Sequence, residues 1–362
     1  MYFSGIILHK EDSMENLSPE KIIDSIKQRI AKEPENLSHY YSLANAYAMI
    51  KDYPKALDEY QKLLKTNPEN TIILNSIGSI YFYLGENDKA IEFFKKAIES
   101  NPKDFSAYMN MANILAEKQD YTKAFEYYDN AVKIQPDNHN LLNSKGNLHQ
   151  ELGEYKEAIE CYKKATQIAP DDFSVLVNIA SAYFSSEQYE KSIQYYEKAT
   201  QINPNDCRAY ACIANAHVIL GNKEKAFEYY QKAIDANPEY YDAYLCYAMS
   251  AGEKEKAREI FQKAIDIQPK NPKGYIALGN LCFDEKDFDK AIEYYKGATL
   301  QDTKNITGFL SIANTCVIVG DIKTALYNYK KAYDINPNDI ELMLLYNDAL
   351  NEFLRVNTKE KQ

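Results

Sequence analysis

Residues 105–138 read FSAYMNMANILAEKQDYTKAFEYYDNAVKIQPDN, and residues 139–172 read HNLLNSKGNLHQELGEYKEAIECYKKATQIAPDD. Laid one under the other, the two stretches share a set of landmarks. The eighth place is small (Ala112, Gly146), the twentieth is alanine (Ala124, Ala158), the twenty-fourth is tyrosine (Tyr128, Tyr162), and the thirty-second is proline (Pro136, Pro170). The proline recurs outward from this pair at 34, 68, 102, 204 and 238, always in steps of 34, and returns at 269 and 337 with Thr303 in the slot between. A fixed period of this length marks an array of supersecondary units, each unable to bury its own apolar face and stacked on its neighbours. Nine repeats follow, starting at Leu37, Thr71, Phe105, His139, Phe173, Cys207, Tyr241, Pro272 and Ile306.

Each repeat reads as two helices. The residue before it is Asn36, Asn70, Asp104, Asn138, Asp172, Asp206, Asn271 or Asn305, side chains that accept from the free N–H groups of a helix start, and only Tyr240 departs. Gly85, Gly153, Gly221, Gly252 and Gly320 fall midway, where a turn is needed, and the proline ends the second helix. Position 8 accepts only Ala or Gly, and position 20 only Ala apart from Ser192, so two backbones approach closely there. Position 24 supplies the bulk between them: Tyr60, Phe94, Tyr128, Tyr162, Tyr196, Tyr230, Phe261, Tyr295 and Tyr329. On the second helix Asp58/Lys62, Glu92/Lys96, Glu160/Lys164, Glu228/Lys232 and Glu259/Lys263 place an acid four residues before a lysine, the mark of a solvated face.

This pattern closely resembles the tetratricopeptide repeat family, with small residues at positions 8 and 20, an aromatic at 24, alanine at 27 and proline at 32. Position 27 is Ala97, Ala131, Ala165, Ala199, Ala233, Ala264, Ala298 and Ala332, with Leu63 as the one departure. The resemblance implies an all-α fold, a right-handed superhelical solenoid of helix-turn-helix hairpins spanning residues 37–339. Residues 17–36 are expected to hold a capping helix, with Ser18 as its cap and Ile22, Ile23, Ile26 and Ile30 on one face. Residues 340–355 are expected to form a C-terminal capping helix with Asn347 in the small slot, and residues 1–16 and 356–362 flexible ends. The seventh repeat, 241–271, is three residues short, a deletion expected at the end of its first helix.

Composition narrows the function. With 53 acidic against 42 basic side chains and a net charge of −11, nucleic acid and anionic membranes are disfavoured as partners. No apolar run reaches the ~18 residues of a membrane span, and residues 1–8 lack the features of a secretory leader, so membrane insertion is not expected and a cytoplasmic protein is. None of the six cysteines forms a CxxC pair, and Cys212/Cys246 and Cys282/Cys316 fall one period apart, roughly 10 Å in a stacked array and too far for a disulfide. His149 and His217 share position 11 two repeats apart, and no histidine pair has zinc-site spacing. The run from Gly274 to Gly279 lacks the lysine and hydroxyl of a phosphate loop. No catalytic residue, metal ligand or cofactor is expected, and the chain reads as a non-enzyme.

The resemblance also implies where a partner lies: along positions 2, 5, 9, 12 and 13 of the first helices. Position 9 carries Asn45, Asn113, Asn147, Asn215, Asn280 and Asn314, with Ser79, Ser181 and Met249 elsewhere. Side-chain amides in a row are able to pair with the backbone of an extended peptide, or to bond within the array instead. The fourth repeat adds Asn143 in a polar zone with Asn140, Gln150 and Glu151; later repeats present Phe184, Val218, Ile219, Ile276, Phe283, Leu310, Val317 and Ile318. The lysines with which some family members clamp a terminal carboxylate are absent from position 5. The expected role is a scaffold or adaptor for a protein or peptide partner within a multiprotein assembly. The alternative is the substrate-recognition arm of an enzyme complex such as a glycosyltransferase.

Overall fold

A computed structural model describes residues 18–359, with side chains to Arg355; the expected flexible segment 1–16 and the last residues, 360–362, lie outside the described residues. The described residues form twenty α-helices and no strand, an all-α array of helical hairpins. They divide into two compact units at Pro170/Asp171.

In the first unit α1 (Pro19–Lys32) precedes four hairpins: α2 (Leu37–Met49) with α3 (Tyr53–Thr66), α4 (Thr71–Tyr83) with α5 (Asn87–Ser100), α6 (Phe105–Glu117) with α7 (Tyr121–Ile134), and α8 (His139–Glu151) with α9 (Tyr155–Ile168). Ile23 of α1 is buried, and Ile26 and Ile30 pack beside it on the core of the first hairpin. Ser18 stands at the cap of α1, yet its side chain makes no capping bond.

The second unit holds five hairpins and a last helix: α10 (Phe173–Ser185) with α11 (Tyr189–Ile202), α12 (Cys207–Ile219) with α13 (Lys223–Ala236), α14 (Tyr241–Ser250) with α15 (Lys254–Ile267), α16 (Pro272–Asp284) with α17 (Phe288–Gln301), α18 (Ile306–Val319) with α19 (Ile322–Ile335), then α20 (Ile340–Lys359). Tyr346 of α20 stacks on Tyr333 with ring centroids 5.9 Å apart, while Asn347 is exposed. Helix α20 continues through residues 356–359, four residues beyond the boundary read from the sequence.

The repeating residues do what their size requires. Alanines at positions 8, 20 and 27 are buried throughout, Ala124, Ala131, Ala158 and Ala165 completely. Where position 8 is glycine the ring of position 24 moves into the vacated space. A Cβ built on Gly78 would stand 2.5 Å from Phe94, and one on Gly146 2.6 Å from Tyr162. The Asn and Asp caps before the first helices work as expected: Asn70 Oδ1 accepts from Ile73 N at 3.1 Å and Asp172 Oδ1 from Val175 N at 3.0 Å. Among the surface pairs, Asp58–Lys62, Glu92–Lys96 and Glu228–Lys232 close at 2.6 Å, whereas Glu160/Lys164 and Glu259/Lys263 form no ion pair.

The turns hold a feature that glycine counting misses. Every full-length hairpin has one left-handed residue at position 15, and in four it is Gly85, Gly153, Gly221 or Gly320, but in the other four it is Lys51, Gln119, Glu187 or Lys286, with φ of 61–62°. Gly252 of the seventh hairpin is not left-handed. There α14 ends after 10 residues, and Ala251 turns the chain out in an extended conformation.

Candidate functional site

The first helices place their position 9 side chains directly over position 24 of their own hairpin. In six hairpins the tyrosine hydroxyl donates to the asparagine Oδ1. Tyr162 reaches Asn147 at 2.7 Å, Tyr230 Asn215 at 2.6 Å, Tyr295 Asn280 at 2.8 Å and Tyr329 Asn314 at 2.6 Å; Tyr60 and Tyr128 pair likewise with Asn45 and Asn113. Tyr162 makes a second bond, to Gln150 Oε1 at 3.0 Å. These rings are buried, so each hydroxyl requires an acceptor inside the protein, and the asparagine oxygen is that acceptor. Burial pushes all six phenols above the ordinary tyrosine range, Tyr295 to about 12.

The bond fixes the amide. With Oδ1 held by the hydroxyl, the other end of the amide is Nδ2, a donor. Asn147, Asn280 and Asn314 are exposed, Asn113 and Asn215 half-buried, and Asn45 buried. Each of these amides is therefore part of the internal structure of its own hairpin, with its donor end not used by the tyrosine. Hairpins without the pair lack both halves in two cases: Phe94 faces Ser79, whose hydroxyl turns back to Asn75 O at 2.9 Å, and Phe261 accompanies Met249, 76% exposed. Position 9 and position 24 change together in eight of the nine hairpins, the fifth keeping Tyr196 with Ser181, a correlation visible only when the two columns are read jointly.

The other expected site residues fall differently. Asn143 is half-buried on α8. Phe184 meets Tyr189 edge-on at 5.3 Å, and Phe283 meets Phe288 likewise at 5.5 Å, so each ring packs across its own hairpin turn and is only half-buried. Val218, Ile219, Val317 and Ile318 are exposed, whereas Ile276 and Leu310 are half-buried.

Hollows open on the first unit. One, about 290 Å³, opens between the first two hairpins with Tyr41, Leu63, Ile72 and Ile73 in its walls. Another, about 330 Å³, lies between α6 and α8 over Tyr128, walled by Asn113, Glu117, Ser144, Asn147 and Glu151. Desolvation chiefly raises the Tyr128 phenol, and the Glu151 charge adds to it.

His149, His217 and the cysteines are structural in their contacts. His149 stacks on Phe125 at 4.2 Å and its Nδ1 lies 2.6 Å from Glu154; His217 is buried against Tyr229, and burial lowers its pKa. All six cysteines are free. Among the described residues no group of three or more His, Cys, Asp or Glu is placed to hold a metal, and no helix is long and apolar enough to cross a membrane.

Comparison with known proteins follows the same architecture. A solved C-terminal part of a TPR repeat-containing protein from Cytophaga hutchinsonii is 20% identical, with a TM-score of 0.55 over 66% of this chain and 99% of that one. A tetratricopeptide repeat protein from Parabacteroides merdae is also 20% identical, with a TM-score of 0.50 over 68% and 98%. YrrB, described as a TPR protein with an unusual peptide-binding site, is 21% identical over 51% of this chain and 95% of its own, with a TM-score of 0.43. No curated protein matches the sequence. Family models described as tetratricopeptide repeat match residues 40–70, 72–104, 104–171, 173–206, 207–240 and 232–357. The chain belongs to the tetratricopeptide repeat family.

Proposed function

We propose that this chain is a scaffold or adaptor that holds an extended segment of a partner protein along the first-helix faces of its hairpins, as one subunit of a larger assembly. The observation that carries this reading is the row of asparagine amides oriented by buried tyrosines. An extended segment offers one carbonyl per residue whatever its sequence, and a row of donors set at the repeat spacing is suited to receive some of them. The donors are already oriented, which lowers the ordering cost of binding.

The test must remove donors without leaving a buried hydroxyl unpaired. Replacing asparagine alone strips the tyrosine of its acceptor, so the change is made in pairs, Asn113→Ala with Tyr128→Phe and Asn147→Ala with Tyr162→Phe, because removing both partners of a hydrogen bond is nearly neutral for folding. Affinity capture with mass spectrometry, quantified for the original chain and the four-fold variant, should show a partner whose retention falls roughly tenfold, at ~0.5–1.5 kcal/mol for each lost bond. Retention at full strength by a variant with an unchanged melting curve would assign the amides to structure alone.

A further inference from the structure

The cleft between α6 and α8 sets an amide donor beside two carboxylates that form no ion pair among the described residues. Asn113, oriented by Tyr128, and Asn147, oriented by Tyr162, line it beside Ser144. Glu117 and Glu151, both at position 13 of their repeats, stand at its edge, exposed and in no ion pair among the described residues. Two lysines close to them in sequence are paired elsewhere: Lys118 bonds Asp88 at 2.9 Å, and Lys145 bonds Asp129 at 2.5 Å. Positions 2, 5, 9, 12 and 13 of the four hairpins in this unit contain no lysine or arginine at all. A metal ion is poorly matched, because two carboxylates without a third acidic, cysteine or histidine ligand fall short of a coordination set.

A residue with both a backbone carbonyl and a cationic side chain suits the Asn113 donor and the two carboxylates together. We propose that this cleft seats a lysine or arginine of an extended partner segment, its ammonium or guanidinium between Glu117 and Glu151 and a neighbouring carbonyl on the Asn113 amide. The assignment rests on the peptide-holding reading above and adds the charge of the segment to it. The cleft's volume of about 330 Å³ is enough for one long side chain with part of its backbone.

The probe is a fluorescein-labelled nonapeptide of alternating threonine and lysine, with threonine favouring extended backbone, compared with counterparts carrying glutamine or glutamate in place of lysine. Fluorescence anisotropy is read with the full chain at low and moderate salt. The lysine peptide is expected to bind about tenfold more tightly than the glutamine peptide, with the glutamate peptide weakest and the preference shrinking as salt rises. Glu117→Gln with Glu151→Gln should bring the lysine peptide to the glutamine level with an unchanged melting curve, because both side chains are exposed. Glu92→Gln with Glu228→Gln makes the same change in net charge on second-helix surfaces and should leave binding within about twofold. Equal losses from the two double variants would reduce the effect to general attraction by an acidic protein and overturn the proposal. Lysine and glutamine peptides binding equally well to the original chain would overturn it while leaving the peptide-holding reading intact. Failure of all three peptides to bind would overturn both.

Discussion

The sixth and seventh hairpins lie side by side in sequence and solve the same packing problem with different amounts of material. In the sixth, α12 runs 13 residues, Asp206 caps it through Ala209 N at 2.9 Å, Gly221 makes the left-handed turn, and Tyr230 holds Asn215. In the seventh, α14 has 10 residues, Tyr240 in the cap slot makes no side-chain bond, the turn contains no left-handed residue, and Phe261 and Met249 replace the tyrosine and asparagine. Yet Ala248, Ala257, Phe261 and Ala264 of the seventh are as thoroughly buried as their counterparts in the sixth. Small-residue packing and the polar layer are thus separable: a hairpin survives on the first and orients an amide at position 9 only with the second.

The largest effect that tests this separation is alkaline. Each position 24 tyrosine has a folded-state pKa raised above its unfolded value, so its contribution is fully present below pH ~10 and is lost as pH rises through the folded value, which for Tyr295 is about 12. Unfolding followed by circular dichroism should therefore set in above pH 10 and be complete near pH 12. The hairpins carrying Phe94 and Phe261 should lose hydrogen-exchange protection last or only with their neighbours. Uniform loss beginning well below pH 10 would place the alkaline sensitivity outside the tyrosine layer.

The next effect treats both hairpins alike. Ala226→Leu and Ala257→Leu should each lower stability by about 1–3 kcal/mol in thermal denaturation, because both slots are closed and a larger side chain overpacks them. A mild Ala257→Leu beside a severe Ala226→Leu would show that the shortened hairpin has relaxed its core as well as its surface.

The polar layer should respond unequally. Tyr230→Phe removes one bond from the sixth hairpin and should cost about 1 kcal/mol, whereas Phe261→Tyr adds a hydroxyl without an asparagine to receive it and should also destabilise. Adding Met249→Asn to Phe261→Tyr should recover the loss. Failure to recover it would mean that the shortened α14 holds position 9 out of reach.

The smallest effect concerns the turns. Gly221→Ala forces a Cβ into left-handed backbone and should cost about 1 kcal/mol. Gly252 has ordinary backbone and open space around its missing Cβ, so Gly252→Ala should be neutral or stabilising by up to ~1 kcal/mol through the unfolded chain.

The fold was legible because each of its determinants is a residue type at a fixed interval: proline every 34, alanine at three slots, an acceptor before each first helix. The turns were half legible, since Gly85 and Gly153 announce left-handed backbone but Gln119 and Glu187 adopt it with nothing in their side chains to say so. The site was legible as residues and not as bonds. Read alone, the asparagine column points outward to a ligand; read with the tyrosine column it shows that one end of each amide is already used. Phe184 and Phe283 illustrate the remaining limit, because their packing on Tyr189 and Phe288 depends on how tightly the turn folds the second helix back.

Each tyrosine–asparagine bond joins residues only 15 apart in the chain. Bonds of such short reach close little loop, and topologies rich in them fold quickly. During synthesis, at ~5–20 residues per second, a hairpin has its full polar layer within a few seconds of its first helix leaving the ribosome. The order of translation therefore becomes an order of assembly, and a nascent chain has its α6–α8 cleft finished while the residues of α14 onward are still being joined.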